Sequence, residues 1–138
     1  MTVDLRPFEP ADAAHVARLA GRVGWPSLTD PELVRRICTS PGATSYSAVA
    51  GDRVVGWAQA LGDGVLQSHL SFLVVDPDHR RHGIGRLLVM ATFQATGTKR
   101  MDLITEAGEG FYARFAHHAM HGYRLYPGAD DPLLGDGR

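Results

Sequence analysis

The stretch Val74-Val75-Asp76-Pro77-Asp78-His79-Arg80-Arg81-His82-Gly83-Ile84-Gly85-Arg86 holds the residue types and spacing best suited to chemistry in this chain. An apolar run ends, Pro77 closes it, and Arg-x-x-Gly-x-Gly opens a second apolar run. That order reads as strand, anion-binding loop, helix. Gly83 and Gly85 let the backbone turn tightly and approach a ligand with no side chain in the way. The helix start behind them aims N–H groups, and the positive end of the dipole, at the same point. Arg80, Arg81 and Arg86 add positive charge. A phosphate-bearing ligand is the natural occupant. A nucleotide-type phosphate loop is excluded, because there is no Gly-Lys-Ser/Thr and the loop holds no Lys.

The elements that must position this loop follow from periodicity and breakers. Residues 3–7 suit a short strand stopped by Pro7. Pro10 to Val23 predicts a helix, with Val16, Leu19, Ala20 and Val23 on one face. Gly24-Trp25-Pro26 breaks it. Thr29-x-x-Glu32 reads as a capping box for a second helix through Leu33, Val34 and Ile37, ending before Pro41. Residues 44–50, 53–61 and 65–75 are strand-like and separated by the short turns Gly51-Asp52 and Gly62-Asp63-Gly64, which join antiparallel neighbours. After the glycine loop, Ile84, Leu87, Leu88, Ala91 and Ala95 mark a helix. Residues 100–105 predict a strand, 110–119 a helix and 123–126 a last strand. The order β-α-α-β-β-β-α-β-α-β implies an α/β fold: a mixed sheet with helices on both faces.

At 138 residues the expectation is a single domain spanning 1–138, with residues 128–138 as a flexible tail. A net charge of −1 argues against a general nucleic-acid binder, which would carry a basic excess. Cys38 is alone, so no intrachain disulfide forms and a reducing compartment fits best. Charged residues and prolines at close intervals in the first thirty positions leave no readable signal peptide, and no apolar run approaches the ~20 residues of a membrane span. The expected location is the cytoplasm, with no membrane partner.

With Val74-Val75-x-Pro77-x-x-Arg80-x-x-Gly83-x-Gly85 on the page, the chain resembles the GNAT superfamily of N-acetyltransferases over nearly its whole length. Its loop is similar to the family's acyl-CoA signature, Arg/Gln-x-x-Gly-x-Gly/Ala after a strand. Phe111-Tyr112-Ala113-Arg114-Phe115 is similar to the Phe-Tyr-x-x-x-Gly-Phe of the family's last helix, but Ala116 and His117 stand where Gly and Phe are usual. A different register would put His118 at the tyrosine position; the Phe-Tyr pair and its distance from the preceding strand favour Tyr112.

The resemblance implies a mostly antiparallel sheet that splays between its fourth and fifth strands. Acetyl-CoA, as co-substrate and with no metal, would lay its pantetheine arm in that opening, pairing with main-chain groups of Leu73, Val74 and Val75. Its pyrophosphate would sit on backbone N–H groups among Arg81, His82, Gly83, Ile84, Gly85 and Arg86, with the Arg80 side chain supporting the loop. The implied reaction is acetyl transfer to a primary amine of a small molecule, by direct attack without a covalent enzyme intermediate. A homodimer is common among such proteins.

That chemistry needs a base for the amine, a stabilised oxyanion and a proton for the leaving thiolate. The resemblance puts Tyr112 in the acid role. His69 is the candidate base, with an ordinary pKa of ~6.5 suited to the task, on a strand face shared with Ser71 and Leu73. Glu106 and Glu109 are rivals, placed to attract or deprotonate a cationic amine, while Thr105 stands roughly where relatives commonly carry Asn. Trp25 and Pro26 lie in the segment that often walls the acceptor pocket, and Trp57 suits core packing. His79 and His82 lack a third ligand at metal-binding spacing. His117, His118 and His121 read as helix C-terminal histidines favoured by the dipole. Asp130 and Asp131 suit a solvated tail. The alternatives are a non-catalytic acyl-CoA sensor, kept open by the altered Phe-Tyr segment, and an enzyme acting on a peptide or protein amine.

Overall fold

The structure is a computed structural model that describes residues 2–128. Its sheet is built from short turns. Gly51-Asp52 leaves room only for a hairpin, so β2 (Ala43–Ala50) and β3 (Arg53–Gly62) pair antiparallel. β4 (Gln67–Val75) folds back on β3 in the same sense. The turn between them is fixed by Asp63, whose Oδ1 accepts the N–H groups of Val65 and Leu66 at 2.7 Å each. β1 (Asp4–Pro7) adds to the outer edge of β2, and β5 (Arg100–Asp102) adds parallel to β4 after a helical crossover. The result is a five-stranded, mostly antiparallel sheet in the order β1-β2-β3-β4-β5.

Two helices cover one face. α1 (Ala13–Arg22) and α2 (Pro31–Thr39) bury Val16, Leu19, Ala20 and Val34 against Val54, Trp57 and Val74 of the sheet. Trp57 is fully buried, its indole N–H donating to Ser45 Oγ at 2.8 Å, and its ring stacks on Phe72 at 5.6 Å. Burying a side chain of that size stabilises by about 2–3 kcal/mol, and the bonded N–H removes the usual penalty. α3 (Ile84–Thr96) covers the other face, where Gly56 makes the close approach possible. A Cβ at Gly56 would lie 2.9 Å from Leu88 Cδ1, 3.1 Å from Ile84 Cγ2 and 3.3 Å from Ala48 Cβ.

The structure departs from the sequence expectations at four places. The N-cap of α2 is Asp30, whose side chain accepts the Glu32 N–H at 3.0 Å. Thr29 instead donates its hydroxyl to the Pro26 carbonyl, so no Thr29–Glu32 capping box forms. β5 stops at Asp102. The helix expected over 110–119 is a single turn, α4 (Glu109–Tyr112). After it the bonds tighten to three-residue spacing, Arg114 N–H to Phe111 and Phe115 N–H to Tyr112. No strand forms at 123–126: Tyr123 and Leu125 are exposed, and among the described residues no strand pairs with them. Apolar alternation makes a strand only where a ladder partner exists.

By its internal contacts the chain divides into two units, Met1–Asp102 and Leu103–Arg138. The sheet, α1, α2 and α3 belong to the first, α4 to the second. Residues 129–138, including Asp130 and Asp131, lie outside the described residues. No helix among the described residues is long and apolar enough to cross a membrane.

Gly56→Val should lower the unfolding free energy by about 1–3 kcal/mol, the range for overpacking a filled interior. Urea denaturation measures it, and an unchanged midpoint would show that α3 rests more loosely on β3 than described.

Candidate active site

The glycine loop is anchored by a carboxylate at its first residue. Asp76 is fully buried. Arg22, in the last turn of α1, donates through Nη1 to both carboxylate oxygens at 2.8 and 2.9 Å. The Asp78 N–H adds a bond at 2.9 Å, and Arg53 Nη2 stands 3.7 Å away. The Asp76 backbone N–H donates to Val55, and its carbonyl accepts from His79, both at 2.8 Å. Burial pushes the Asp76 carboxyl upward, but the Asp78 N–H and the Arg22 guanidinium outweigh it and hold the group below the usual carboxylate range.

From that anchor the chain makes a 3-10 turn at Pro77–His79 and then runs exposed through Arg80, Arg81 and His82. Arg81 has φ +69° and is the one non-glycine in the left-handed region among the described residues. A side chain in that conformation costs about 1–2 kcal/mol, so the neighbouring structure imposes the loop's shape. Gly83 follows at φ +76° as the N-cap of α3, with no atom within 4 Å of where a Cβ would stand. The Leu87 N–H is bonded to the Gly83 carbonyl, and the N–H groups of the preceding turn point out of the helix start. Arg80 makes no hydrogen bond or ion pair with any described residue. The start of the loop is held by Asp76.

Beside the loop, the sheet opens. β4 and β5 are paired only at Gln67–Arg100, Ser68–Met101 and His69–Asp102. From residue 70 to Val75, β4 keeps β3 on one side and, among the described residues, has no strand on the other. Main-chain groups of Leu73, Val74 and Val75 on that side are available to an extended ligand. The open edge and the start of α3 belong to one continuous strand–loop–helix, as the loop's chemistry requires.

A bulge decides which side chains share a face. Gln59 pairs with Phe72 and Ala60 with Leu70, leaving Ser71 as the extra residue on β4. Strict alternation would put His69 with Ser71 and Leu73. The bulge instead puts His69 with Phe72 and Val74 on the α1–α2 face and turns Leu73 and Val75 toward α3. His69 is exposed and opposite Asp102. On the same face Trp25 packs its ring 6.2 Å from Phe72 and borders a groove of about 370 Å³ lined also by Gly21, Gly24, Pro26 and Thr29. Cys38 is buried in α2, where burial pushes its thiol upward, so it stays protonated and unreactive.

The other expected site residues fall in the second unit. Tyr112 ends α4 within an aromatic group, its ring 4.9 Å from Phe111 and 6.4 Å from Phe115. Burial raises its phenol above the ordinary value, so it is a proton carrier at neutral pH. Thr105 Oγ1 accepts the Gly108 N–H at 2.9 Å and so shapes the turn into α4. Glu106 and Glu109 are exposed. His117, His118 and His121 lie beyond α4, which ends at Tyr112, so they are not the helix C-terminal histidines expected from the sequence.

The model of the acetyltransferase (GNAT) family matches residues 11–123, across both units. The chain belongs to this family. A curated relative, the mycothiol acetyltransferase of Parafrankia sp. (strain EAN1pec), is 44% identical over 62 residues, which are 45% of this chain and 19% of that protein. The chain thus spans about a fifth of the length of the curated relative it matches. Among solved structures, AAC(6')-Iy in complex with the bisubstrate analogue CoA-S-monomethyl-acetylneamine superposes with a TM-score of 0.74 at 17% identity, covering 91% of this chain and 97% of that one. The ribosomal-protein-alanine N-acetyltransferase of Brucella melitensis biovar Abortus 2308 gives 0.73 at 18%, covering 91% and 99%. At such identities these structures share the fold.

In this GNAT chain Asp76 and Arg22 were missed as site residues in the sequence. The one available signal was an Asp directly before Pro at a strand end, where a side chain can bond the backbone N–H two residues on. Arg22 lies 54 positions away, and nothing local announces the pairing.

Asp76→Asn should cost about 1–3 kcal/mol of unfolding free energy at pH 7, the range for charge-assisted hydrogen bonds to a buried group. Because the folded carboxyl is depressed, its contribution is complete above the ordinary range near pH 4 and lost as pH falls through the folded value. Urea unfolding at pH 7 and pH 3 should therefore show the gap between wild type and D76N shrinking in acid. An equal gap at both would refute the ion pair's role.

Proposed function

We propose that residues 1–138 form one acetyltransferase domain that moves the acetyl group of acetyl-CoA to a primary amine of a small molecule. The observation that carries this reading is the unpaired edge of β4 running directly into a preformed loop and the N-terminus of α3. Leu73, Val74 and Val75 bind the pantetheine amides through their main chain. Arg81, His82, Gly83, Ile84, Gly85 and Arg86 hold the pyrophosphate by backbone N–H groups, with the unengaged Arg80 and Arg81 guanidinium groups adding charge. The empty space over Gly83 and its left-handed backbone fit a close-lying phosphate.

His69 takes a proton from the ammonium form of the acceptor, and the free amine attacks the thioester carbonyl. A C–N bond forms, the C–S bond breaks, Tyr112 supplies the thiolate's proton, and the proton that the new amide nitrogen loses returns to the phenolate through solvent. The raised phenol supports that assignment because it keeps its proton until a strong base appears. Glu106 and Glu109 gather cationic acceptors, and Trp25 contributes an apolar wall to their site. No covalent intermediate is required, in keeping with the buried, protonated Cys38. A small-molecule acceptor is favoured by a relative named for mycothiol and by a neighbour caught with an acetylneamine conjugate.

With acetyl-CoA and a panel of amines, thiol release should be acceptor-dependent, and Tyr112→Phe should lower kcat about a hundredfold with acetyl-CoA affinity unchanged. Tight binding without acceptor-dependent release would favour the sensor reading instead. Gly83→Val forces a branched side chain into the space over a left-handed residue and should weaken acetyl-CoA binding about tenfold or more. Unchanged affinity by calorimetry would sink the loop assignment.

A further inference from the structure

Between the end of β4 and the start of α3, the loop does little to hold itself. The side chains of Arg80, Arg81 and His82 have no hydrogen-bond or ion-pair partner among the described residues. Arg81 nonetheless keeps φ +69°, and Gly83 follows at φ +76°. A backbone kept in the left-handed region without side-chain bonds takes its shape from its two ends. At the far end it enters α3, where the Leu87 N–H bonds the Gly83 carbonyl. At the near end it leaves Asp76, whose side chain is 1% exposed.

Every polar group of Asp76 helps to aim the chain. Its backbone N–H goes to the Val55 carbonyl and its own carbonyl receives the His79 N–H, both at 2.8 Å. Oδ1 accepts the Asp78 N–H at 2.9 Å and Arg22 Nη1 at 2.8 Å, and Oδ2 accepts the same Arg22 nitrogen at 2.9 Å. Arg22 Nη2 also stands 3.4 Å from Asp78 Oδ2. A guanidinium from the last turn of α1 therefore bridges two residues of the turn from outside it. Stability alone does not call for this arrangement. A buried ion pair can often be replaced by apolar side chains of similar volume without loss, because desolvation offsets the attraction. Apolar side chains cannot, however, accept the Asp78 N–H or hold a guanidinium against the turn.

We propose that Arg22 and Asp76 are positioning residues for the acyl donor. They set the path of the turn at Pro77–His79 and, through it, the backbone N–H groups of residues 81–86 that receive the pyrophosphate. This rests on the acetyltransferase reading above. Neither side chain touches the ligand: Asp76 is buried, and Arg22 is engaged by it. The sign of the effect separates this role from plain electrostatics. Asp76 is an anion close to a site for anions, so deleting its charge should by Coulomb attraction alone tighten acetyl-CoA binding. A positioning role predicts the opposite.

Calorimetric titration with acetyl-CoA, under conditions where urea curves show each variant folded, reads the difference. Asp76→Asn should weaken binding about tenfold, the loss expected when a charge-assisted hydrogen bond no longer fixes the turn. The double variant Arg22→Met with Asp76→Val leaves the net charge unchanged and the interior filled. Its urea midpoint should stay near that of wild type while acetyl-CoA binding weakens by a similar factor. S-Acetylpantetheine carries the same thioester and amides without the phosphates, so its kcat/KM should stay within about twofold of wild type in both variants. Acetyl-CoA affinity that is unchanged or tighter in Asp76→Asn, or unchanged in the double variant, overturns the proposal. So does an equal loss with S-acetylpantetheine, which places the defect away from the pyrophosphate. A wild type with no affinity for acetyl-CoA defeats the acetyltransferase reading, and the proposal falls with it. If wild type binds acetyl-CoA but acetylates no amine, the enzyme reading fails, and weaker binding in both variants still supports the role of the pair.

Discussion

A carboxylate with no exposed surface must be matched or protonated, and the way Asp76 is matched organises the rest of the molecule. Its partners come from the end of α1, the start of β3 and the turn that follows it. One buried charge therefore ties a helix, the sheet and the loop at a single point. It also has a chemical consequence for an anion site. Arg22 and Arg53 are spent on Asp76, whereas Arg80 and Arg81 have no anionic partner among the described residues. The cations that hold the loop's shape are thus different from those it would offer to the proposed ligand.

β4 carries two functions because its pairing changes along its length. Up to His69 it is an interior strand with neighbours on both sides; beyond it, one side has no strand among the described residues. An unpaired ladder edge is ordinarily a hazard, since it invites another chain. Here it is short, and it ends at a proline and a loop shaped by Arg81 and Gly83. The bulge at Ser71 lies between the two regimes. It raises local twist where the strands must part, and it reverses the facing of the residues on either side. Without it, Phe72 would turn away from Trp57 and the aromatic stack on the α1–α2 face would be lost.

The parts of this fold that were legible in the sequence are those written locally. Short turns dictated the antiparallel order, and Arg80-x-x-Gly83-x-Gly85 dictated a loop between strand and helix. The misreadings have physical causes. A capping box at Thr29 and a true cap at Asp30 compete for the same helix start, and Pro31 at the first helical position settles it in favour of Asp30. His69's facing depends on a bulge, which leaves no mark in apolar alternation. The helix after Gly108 stops at Tyr112, where the backbone bonds tighten to three-residue spacing. The Asp76–Arg22 pair is long-range, and no local rule reports it.

The two halves of the candidate site on the sheet are encoded differently. The half proposed to hold acyl-CoA consists of backbone: a strand edge with no described neighbour, a left-handed loop, a helix start. Many sequences can supply such a surface, provided a glycine stands at Gly83 and the apolar pattern holds, so the fold persists at identities below a fifth. The half proposed to face the acceptor consists of side chains, Trp25 at the groove, Phe72 packed beside it and His69 at the last rung between β4 and β5. Changing any of them leaves β4 paired and the loop anchored. On the proposed reading, selection can therefore alter the acceptor without disturbing the acyl donor. The register of β4, fixed by the Ser71 bulge on one side and the Asp76 anchor on the other, keeps the two halves aligned.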